Sequence, residues 1–161
     1  MTEPFIRRYE ADDRDDLAYV CLLTGDSGTD ARGLHRDDSI VADVFCLPYL
    51  DFAPELAFVI DDGTGTAVGY IIGVADTDAF YRWFAESWWP PLAARYPVST
   101  PPADTQDRWV LDASGTRTNE QPEYPAHLHI DMLPAAQGRG FGRALIETML
   151  DALRDRGVPG V

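Results

Sequence analysis

A chain of 161 residues that is 45% apolar, 25% charged and 11% aromatic has the composition of one globular domain, which excludes a disordered or fibrous protein. Its formal net charge is −14, and all 13 basic residues are arginine. A field of this sign repels phosphate backbones, so we expect no nucleic acid partner, whereas it attracts cations such as protonated amines. A solubilising acidic surface is the simpler explanation of the charge.

The sequence shows no signal peptide or membrane-spanning segment, and it contains two cysteines. Residues 1–10 contain no apolar segment of signal-peptide length, and nowhere do about eighteen apolar residues follow one another. We therefore expect a cytoplasmic protein without a membrane span. Cys21 and Cys46 each lie among apolar residues at helical spacing, so we expect buried free thiols and no metal site.

The first third of the chain shows one strand pattern and two helix patterns. Phe5–Tyr9 predicts a strand, and the apolar spacing over residues 17–24 predicts a helix, with a loop over residues 25–33. Acidic residues and a serine can cap a second helix over residues 37–45, which Pro48 is expected to end.

A hairpin and an aromatic helix are predicted next. Glu55–Ile60 and Ala67–Val74 are apolar and β-branched, and the residues between them are rich in Asp and Gly, which predicts a β-hairpin. Thr77 or Asp78 is expected to cap a helix with aromatic residues at spacings of three and four, and Pro90 with Pro91 to end it. Such an aromatic stripe is packed core, which is the commoner use, or else a lid over a substrate or a surface for a partner.

The last third begins with a polar segment. Between Pro97 and Pro125 the composition shifts to Pro, Ser, Thr, Asp, Gln and Asn, which predicts a long loop or insertion. Ala126–Leu133 then predicts a strand, and Gly140–Arg156 a helix that Gly157 closes. A strand that passes through a short turn directly into a helix is therefore expected here.

Three glycines at alternate positions give this turn its chemical signal. The segment reads Gln137-Gly138-Arg139-Gly140-Phe141-Gly142-Arg143. Glycine lets a backbone approach a ligand without interference from a Cβ, and the unpaired amides of a first helical turn bind anions such as pyrophosphate. One glycine would suffice for a tight connection, so three favour a ligand site.

Two other nucleotide motifs do not fit this segment. A Walker A loop ends in Lys followed by Ser or Thr, and the chain has no Lys. A dinucleotide fingerprint reads G-x-G-x-x-G at the start of a βαβ unit, whereas G-x-G-x-G here follows three predicted strands. The pattern Q-x-x-G-x-G, formed by Gln137, Gly140 and Gly142, resembles instead the acetyl-CoA motif of the GNAT superfamily of N-acetyltransferases.

The resemblance implies an α/β (α+β) GNAT fold with a mixed central β-sheet flanked by helices, in a single domain over residues 1–161. It implies an enzyme that transfers acetyl from acetyl-CoA to the primary amine of a small molecule or peptide. The CoA pyrophosphate is expected on the amides of the turn and the pantetheine arm along the preceding strand. The implied cofactor-binding residues are Met132, Leu133, Gln137, Gly138, Arg139, Gly140, Phe141, Gly142 and Arg143.

The C-terminus departs from the family pattern. Only Val158–Val161 follows Gly157, whereas the family fold continues with a fifth strand and a further helix. The resemblance therefore predicts a domain truncated after the third main helix, or one whose missing elements come from another chain. An open sheet edge can pair with a partner, so a homodimer is one expectation.

A narrower resemblance covers most of the chain. Ile6–Tyr9, Thr24–Asp30, Phe45–Tyr49 and Val68–Gly73 are similar to the acetyltransferase-like domain that follows the glycoside hydrolase part of O-GlcNAcases. In animal members this domain is regarded as a pseudo-acetyltransferase because its CoA motif is degraded. The glycines are kept here, so the resemblance implies cofactor binding without glycosidase activity. The alternative function is a non-catalytic CoA- or protein-binding regulatory module.

Polar side chains on the last predicted strand are the catalytic candidates. His127, His129 and Asp131 alternate with apolar residues, so they share one face of the strand. Burial of three titratable groups is unfavourable unless they are paired or face a wet cleft. We expect Asp131 with His129 to take the amine proton, unless these groups only pair with one another or contact residues 97–125. The further candidates for amine recognition are Tyr70, Asp76 and Asp78.

Overall fold

Four strands lie side by side in one sheet, in the order of the sequence. The computed structural model describes residues 3–97, 107, 110–112 and 118–161. Each strand pairs with its neighbour in the antiparallel sense. The strands are β1 (Phe5–Arg8), β2 (Ala57–Asp61), β3 (Ala67–Val74) and β4 (His127–Met132). The predicted α/β class is confirmed, although the sheet expected to be mixed is antiparallel throughout these four strands.

Helices flank the sheet on both faces. The helices are α1 (Arg14–Thr24), α2 (Ser39–Phe45), α3 (Leu47–Phe52), α4 (Thr77–Trp83), α5 (Trp89–Ala93) and α6 (Phe141–Arg154). Of these, α1 and α3 cover the face that carries the side chain of Tyr70, and α2 packs on both of them. The last helix covers the opposite face, where the Met149 methyl lies 3.1 Å from the position that a Cβ would take at Gly73. Of the residues that the structure describes, none belongs to a helix long and apolar enough to cross a membrane.

The predicted hairpin is confirmed. β3 has the predicted bounds, whereas β2 begins later than expected because Pro54–Leu56 forms a turn of 3-10 helix. The carboxylate of Asp61 accepts hydrogen bonds from the N–H groups of Gly63 at 2.8 Å and Gly65 at 3.1 Å, which closes the connection between the strands. A side chain at the end of β2 therefore supplies the acceptors that the turn backbone needs.

The core between the sheet and the first helices is apolar and closely packed. Tyr70, Ile72 and Val74 of β3 have no exposed surface. Cys21 and Cys46 lie in the same core, and both are buried free thiols, as predicted. Burial raises the pKa of the Cys46 thiol well above its usual range. This thiol therefore stays protonated and unreactive at neutral pH.

Two helices were expected to end at prolines. The helix predicted over residues 37–45 does end before Pro48, at Phe45, and Pro48 lies in the first turn of α3. The prediction at Pro90 and Pro91 is wrong, because both lie in the first turn of α5, which follows a turn of π-helix over Phe84–Trp88 without a break. A first turn has no intrahelical N–H bond for a proline to break. The cap of α4 also differs from the prediction: Asp76 accepts from the N–H of Ala79 at 2.9 Å.

The aromatic residues of this region are largely packed. Phe80 and Phe84 are buried, and the ring of Phe80 stacks on Tyr49 of α3 at a centroid distance of 4.4 Å. Trp83 and Trp88 are half-buried, with their rings 5.9 Å apart. The core interpretation of the aromatic stripe is thereby supported over a mobile lid.

The segment predicted as a long loop over residues 97–125 contains helical residues. Asp107 and residues 110–112 are helical, so the prediction of a loop is wrong at these positions, while residues 98–106, 108–109 and 113–117 lie outside the described residues. Val110 is buried, and the carboxylate of Asp107 lies 3.0 Å from Nδ1 of His35. Val110 and Asp107 thus attach this segment to the domain, although its polar composition predicts a loop.

A buried ion cluster ties the first strand to the hairpin. The guanidinium of Arg7 donates to Asp13 at 2.7 Å and to Asp61 at 2.9 Å. Both carboxylates are buried, which by itself would raise their pKa values, but the donors from Arg7 and from nearby backbone N–H groups outweigh burial and lower the pKa of each. A lowered folded pKa stabilises the fold above the unfolded pKa of about 3.9, and this contribution is lost as the pH falls through the folded value.

Replacement of Arg7 by Met should therefore lower the free energy of unfolding by about 2 kcal/mol at pH 7, because two buried carboxylates lose their cation. The difference from the wild type should shrink as the pH falls, because the two carboxylates become protonated first in the variant, where they lack their cation, and stay ionised in the wild type until the pH reaches their lowered pKa values. Urea unfolding at pH 7 and pH 3.5 measures both effects. Arg154→Met removes the cation of an exposed pair with Asp151 and is the matched control, with little change expected at either pH. Equal losses in the two variants would contradict the account.

Candidate active site

The turn between β4 and α6 follows the predicted strand, turn and helix. Pro134–Ala136 forms a turn of 3-10 helix after β4, and the backbone has φ of 72° at Gly138 and 85° at Gly140. Two of the three glycines thus meet a backbone requirement, so the expectation that one would suffice for the connection is wrong. A Cβ at Gly142 would lie 3.5 Å from the Met132 methyl, an ordinary contact, so no backbone requirement explains this third glycine.

The start of α6 is open to a ligand. Gly140 is its N-cap residue and provides no side-chain cap for the N–H groups of the first turn. A Cβ built at Gly138 or Gly140 would meet no atom within 4 Å. Arg139 and Arg143 are exposed beside this turn, and the guanidinium of Arg139 lies over the ring of Phe141 at 5.6 Å. Uncapped amides and two cations at the start of a 14-residue helix suit an anion such as a diphosphate.

The edge of β4 continues from this turn. Leu133 donates its N–H to the carbonyl of Val68 at 2.9 Å. In an antiparallel pair, every second residue directs both its N–H and its C=O to the partner strand. The backbone groups of Leu133, and of every second residue before it in β4, therefore point toward β3. The intervening residues, of which Met132 is the last, turn their backbone groups toward the other edge. There Gln137 Nε2 donates to the carbonyl of Met132 at 3.1 Å. The structure thus brings the predicted cofactor-binding residues into one continuous surface, with the backbone of Met132 rather than that of Leu133 on the outer edge.

The C-terminal segment lies beside the beginning of β4. Ala126 donates its N–H to the carbonyl of Gly160 at 3.3 Å, and the ring of Tyr124 crowds the backbone of Gly160. Residues 158–161 form no strand. The contact places them where a strand would continue along the outer edge of β4.

The three polar side chains of β4 lie on one face, as predicted, and each has partners from other elements. Tyr70 donates its hydroxyl to Asp131 Oδ2 at 2.8 Å. The hydroxyl of Tyr49 on α3 lies 2.8 Å from Nε2 of His127 and 3.0 Å from Nε2 of His129. The hydrogen bonds therefore join the two histidines through Tyr49, while Asp131 is held by Tyr70.

Asp131, one of the two predicted catalytic residues, is partly buried. Burial raises its pKa above the usual range, and the hydrogen bonds from Tyr70 and Thr24 offset only part of this effect. Burial also raises the pKa of Tyr70 well above its usual range, so its hydroxyl remains a donor at neutral pH. The pair is thus arranged to hold a carboxylate with one strong donor in an apolar setting.

Two cavities adjoin the histidines. An open cleft of about 840 Å³, called here the histidine cleft, is lined by Thr77, Tyr81, Thr118, Asn119, Glu120, Gln121, Tyr124, Ala126, His127, Leu128, His129 and Val161. A smaller cavity of about 60 Å³ lies between His129 and the aromatic side chains of α3 and α4. His129 lines both, and Asp131 lines neither. The histidine cleft is therefore the larger space that a substrate of this site could enter.

The remaining predicted residues have structural roles in the described chain. Asp76 caps α4, and Asp78 Oδ1 accepts from the N–H of Asn119 at 2.7 Å. Tyr70 is completely buried. Tyr49 was not anticipated, because it follows the proline that was expected to end a helix and lies far in sequence from both histidines. Thr77, which hydrogen-bonds His127, was expected only as a helix cap.

Comparison with known proteins identifies relatives. A family model described as the acetyltransferase (GNAT) family matches residues 29–161. The chain is 43% identical to the protein in a crystal structure of SsHAT, with a TM-score of 0.89, and the match covers 98% of this chain and 80% of that one. A polyamine N-acetyltransferase of Drosophila melanogaster is 18% identical with a TM-score of 0.53, covering 97% and 73% of the two chains. A GCN5-related N-acetyltransferase from Kribbella flavida is 16% identical with a TM-score of 0.51, covering 96% and 67%. The last two show likeness of fold alone.

The raised pKa of Asp131 makes the stability of the domain depend on pH. Above the unfolded pKa of about 3.9 and below the raised folded value, the native state binds more protons than the unfolded state, so stability falls as the pH rises through this range. Asp131→Asn should flatten this dependence, as measured by urea unfolding at intervals from pH 4 to pH 7. Asp151→Asn, at an exposed position, should keep the wild-type slope. An unchanged slope in Asp131→Asn would contradict the burial of an ionisable group here.

Proposed function

Since the chain belongs to the acetyltransferase (GNAT) family and is an N-acetyltransferase, we propose that it transfers the acetyl group of acetyl-CoA to a primary amine that enters the histidine cleft. The observation that carries this proposal is the uncapped, exposed start of α6 directly after β4. This helix start lies at one end of β4, and the face of β4 carries the two histidines. A single strand would thus position both the cofactor-binding site and the group that accepts the proton.

The cofactor would be held by the turn and the strand edge. The backbone N–H groups over residues 138–143 would bind the diphosphate, with Arg139 and Arg143 contributing positive charge. The outer edge of β4 at Met132, next to Leu133 where the strand ends, would guide the arm toward His129. Gln137 would keep the turn against the strand through its bond to the Met132 carbonyl. Bound acetyl-CoA supplies an activated thioester.

The acceptor amine would be oriented and deprotonated on the polar face of β4. An amine is protonated at neutral pH and must lose a proton before it can attack a carbonyl. Imidazole titrates near neutral pH, and His129 lines the histidine cleft, so we assign to it the acceptance of this proton. Asp131 lies two residues further along the same face, and its carboxylate would stabilise the positive charge that His129 gains.

The charge of the chain supports a cationic acceptor. A net charge of −14 raises the local concentration of cations, and Glu120, Tyr81 and Tyr124 line the same cleft. Fold relatives include an agmatine N-acetyltransferase and the polyamine N-acetyltransferase, which makes these amines reasonable first acceptors to test. The kinship with the O-GlcNAcase domain, the cytoplasmic location and the homodimer stay predictions from the sequence. Family membership does not favour the alternative of a non-catalytic module.

Acetyl-CoA should bind to the purified chain, and Gly140→Ala should weaken this binding about tenfold, equivalent to about 1.4 kcal/mol. The added methyl group would occupy the open space from which the diphosphate approaches, and it would strain a left-handed backbone. Isothermal titration calorimetry with acetyl-CoA measures the dissociation constants.

Gly65→Ala is the matched control for this test. Its φ of 96° and the open space around its position impose the same backbone strain, but in the hairpin between β2 and β3. Its dissociation constant should equal that of the wild type. Equal weakening in both variants would assign the effect to destabilisation, and absence of heat with wild-type protein would remove the cofactor assignment.

Release of CoA thiol should accompany incubation with an amine. A panel containing agmatine, polyamines, simple monoamines and lysine-containing peptides should yield turnover with at least one cationic member, detected by a thiol reagent. Sodium acetate in place of acetyl-CoA is the blank. Tight binding of acetyl-CoA without thiol release on any amine would favour a regulatory module over an enzyme.

A further inference from the structure

A series of hydrogen bonds runs across the polar face of β4. It starts at the carbonyl of Pro125, to which the hydroxyl of Thr77 donates at 2.7 Å. Oγ1 of Thr77 lies 2.8 Å from Nδ1 of His127, whose Nε2 lies 2.8 Å from the hydroxyl of Tyr49. The same hydroxyl lies 3.0 Å from Nε2 of His129. Four side chains are thus joined end to end.

The direction of the first bonds follows from the number of hydrogens. A carbonyl only accepts, and a hydroxyl has a single hydrogen, so Thr77 uses its hydrogen on Pro125. Thr77 must then accept from His127, which places a hydrogen on Nδ1 of that ring. A neutral imidazole carries one N–H, so Nε2 of His127 has a lone pair.

The same count of hydrogens determines the direction of the hydrogen bonds that Tyr49 makes with His127 and His129. Nε2 of His127 accepts from the hydroxyl of Tyr49, which uses the only hydrogen of that hydroxyl. Tyr49 must therefore accept from His129, whose hydrogen lies on Nε2. In a neutral ring this leaves the lone pair of His129 on Nδ1. The tautomers of both histidines are assigned in this way from the carbonyl of Pro125 outward.

Building on the proposed acetyl transfer, we infer that Tyr49 is a positioning residue that holds His129 in the tautomer with an unprotonated Nδ1 and connects it to His127 for proton transfer. When Nδ1 takes a proton from the ammonium, the N–H bond of the amine breaks and its electron pair stays on the amine nitrogen. The hydrogen on Nε2 of His129 moves to the oxygen of Tyr49, and the hydroxyl hydrogen moves to Nε2 of His127.

One positive charge has then moved from the amine to His127, and Tyr49 and His129 are neutral again. His127 carries N–H groups toward Thr77 and Tyr49, and both of these oxygens can accept. After the product leaves, the reverse shift returns the proton to Nδ1 of His129 and from there to water. The series therefore takes up one proton per turnover and is restored without a further reagent.

The surroundings of Tyr49 keep its hydroxyl in place. The residue is 3% exposed, its ring stacks on Phe80, and both histidine rings meet it edge-on at centroid distances of 5.5 and 5.1 Å. Among the described residues, the other titratable groups near this series are Tyr81, stacked on His127 at 5.4 Å, Glu120 and Tyr124, which line the histidine cleft, and Asp131 with Tyr70 further along the face. Tyr49→Phe keeps the ring and removes the hydroxyl that links the two histidines.

The test reads the histidine tautomers of the free, ¹⁵N-labelled chain by two-bond proton–nitrogen spectra from pH 5 to pH 9. The wild type should show His129 protonated at Nε2 and His127 protonated at Nδ1, and the two rings should take up their first proton jointly. In Tyr49→Phe the two rings should titrate independently. With an acceptor amine, kcat/KM should fall about tenfold and its dependence on pH should change, while the dissociation constant for acetyl-CoA stays the same.

Tyr96→Phe is the matched control, because it also removes a buried tyrosine hydroxyl, which donates there to Asp43 of α2 and is not part of the hydrogen-bonded series. It should lower stability without altering the tautomers or the pH profile.

If Tyr49→Phe does not fold, the tautomers of the wild type are compared with those of Thr77→Val. In Thr77→Val the Nδ1–H of His127 loses its acceptor, so the tautomer of this ring should no longer be fixed. His129 protonated at Nδ1 in the wild type, or an unchanged pH profile in folded Tyr49→Phe, would overturn the inference. Tautomers as assigned without acetyl transfer to any amine would overturn the proposed function and still support the assigned hydrogen-bond directions.

Discussion

The pairing of β4 with β3 is the constraint on which the site depends. Its register places Asp131 opposite Tyr70 and His129 opposite Ile72, so the polar side chains of β4 face α1 and α3. A slip of one residue would turn both histidines toward α6 and bring Leu128 and Ile130 to the polar side. The register is kept by close packing on the other face, where a Cβ at Gly69 would lie 2.7 Å from that of Met132. The same pairing fixes where the turn before α6 begins.

Both functional surfaces of the domain are therefore derived from one strand. Its end passes into the turn whose two left-handed glycines present the uncapped start of α6, and its middle carries the histidines that line the histidine cleft. On the outer edge between them, the carbonyl of Met132 accepts from Nε2 of Gln137, which joins the strand to the turn. A cofactor held at the turn would run along that edge toward His129, so binding and proton transfer share one rigid frame.

Local patterns predicted the parts of the fold that depend on local physics. Apolar, β-branched residues located β3 within its true bounds, and the glycines before α6 marked the turn that leads into that helix. Tyr49 could not be predicted in its role, because its contact with the histidines depends on how α3 packs across the sheet. Pro90 and Pro91 misled the prediction, since the effect of a proline depends on whether it lies inside a helix or in its first turn. The helical conformation of Asp107 and Val110 could not be predicted, because both are buried by tertiary contacts while the sequence around them is polar.

The central claim is that the first turn of α6 binds the diphosphate of acetyl-CoA while the arm follows β4. A crystal structure of the chain with acetyl-CoA tests it most directly. The account predicts diphosphate oxygens within hydrogen-bond distance of the N–H groups between Gly138 and Arg143, with the thioester near His129. A cofactor bound at another surface, or a diphosphate contacted only by arginine side chains with the turn amides facing water, would contradict it.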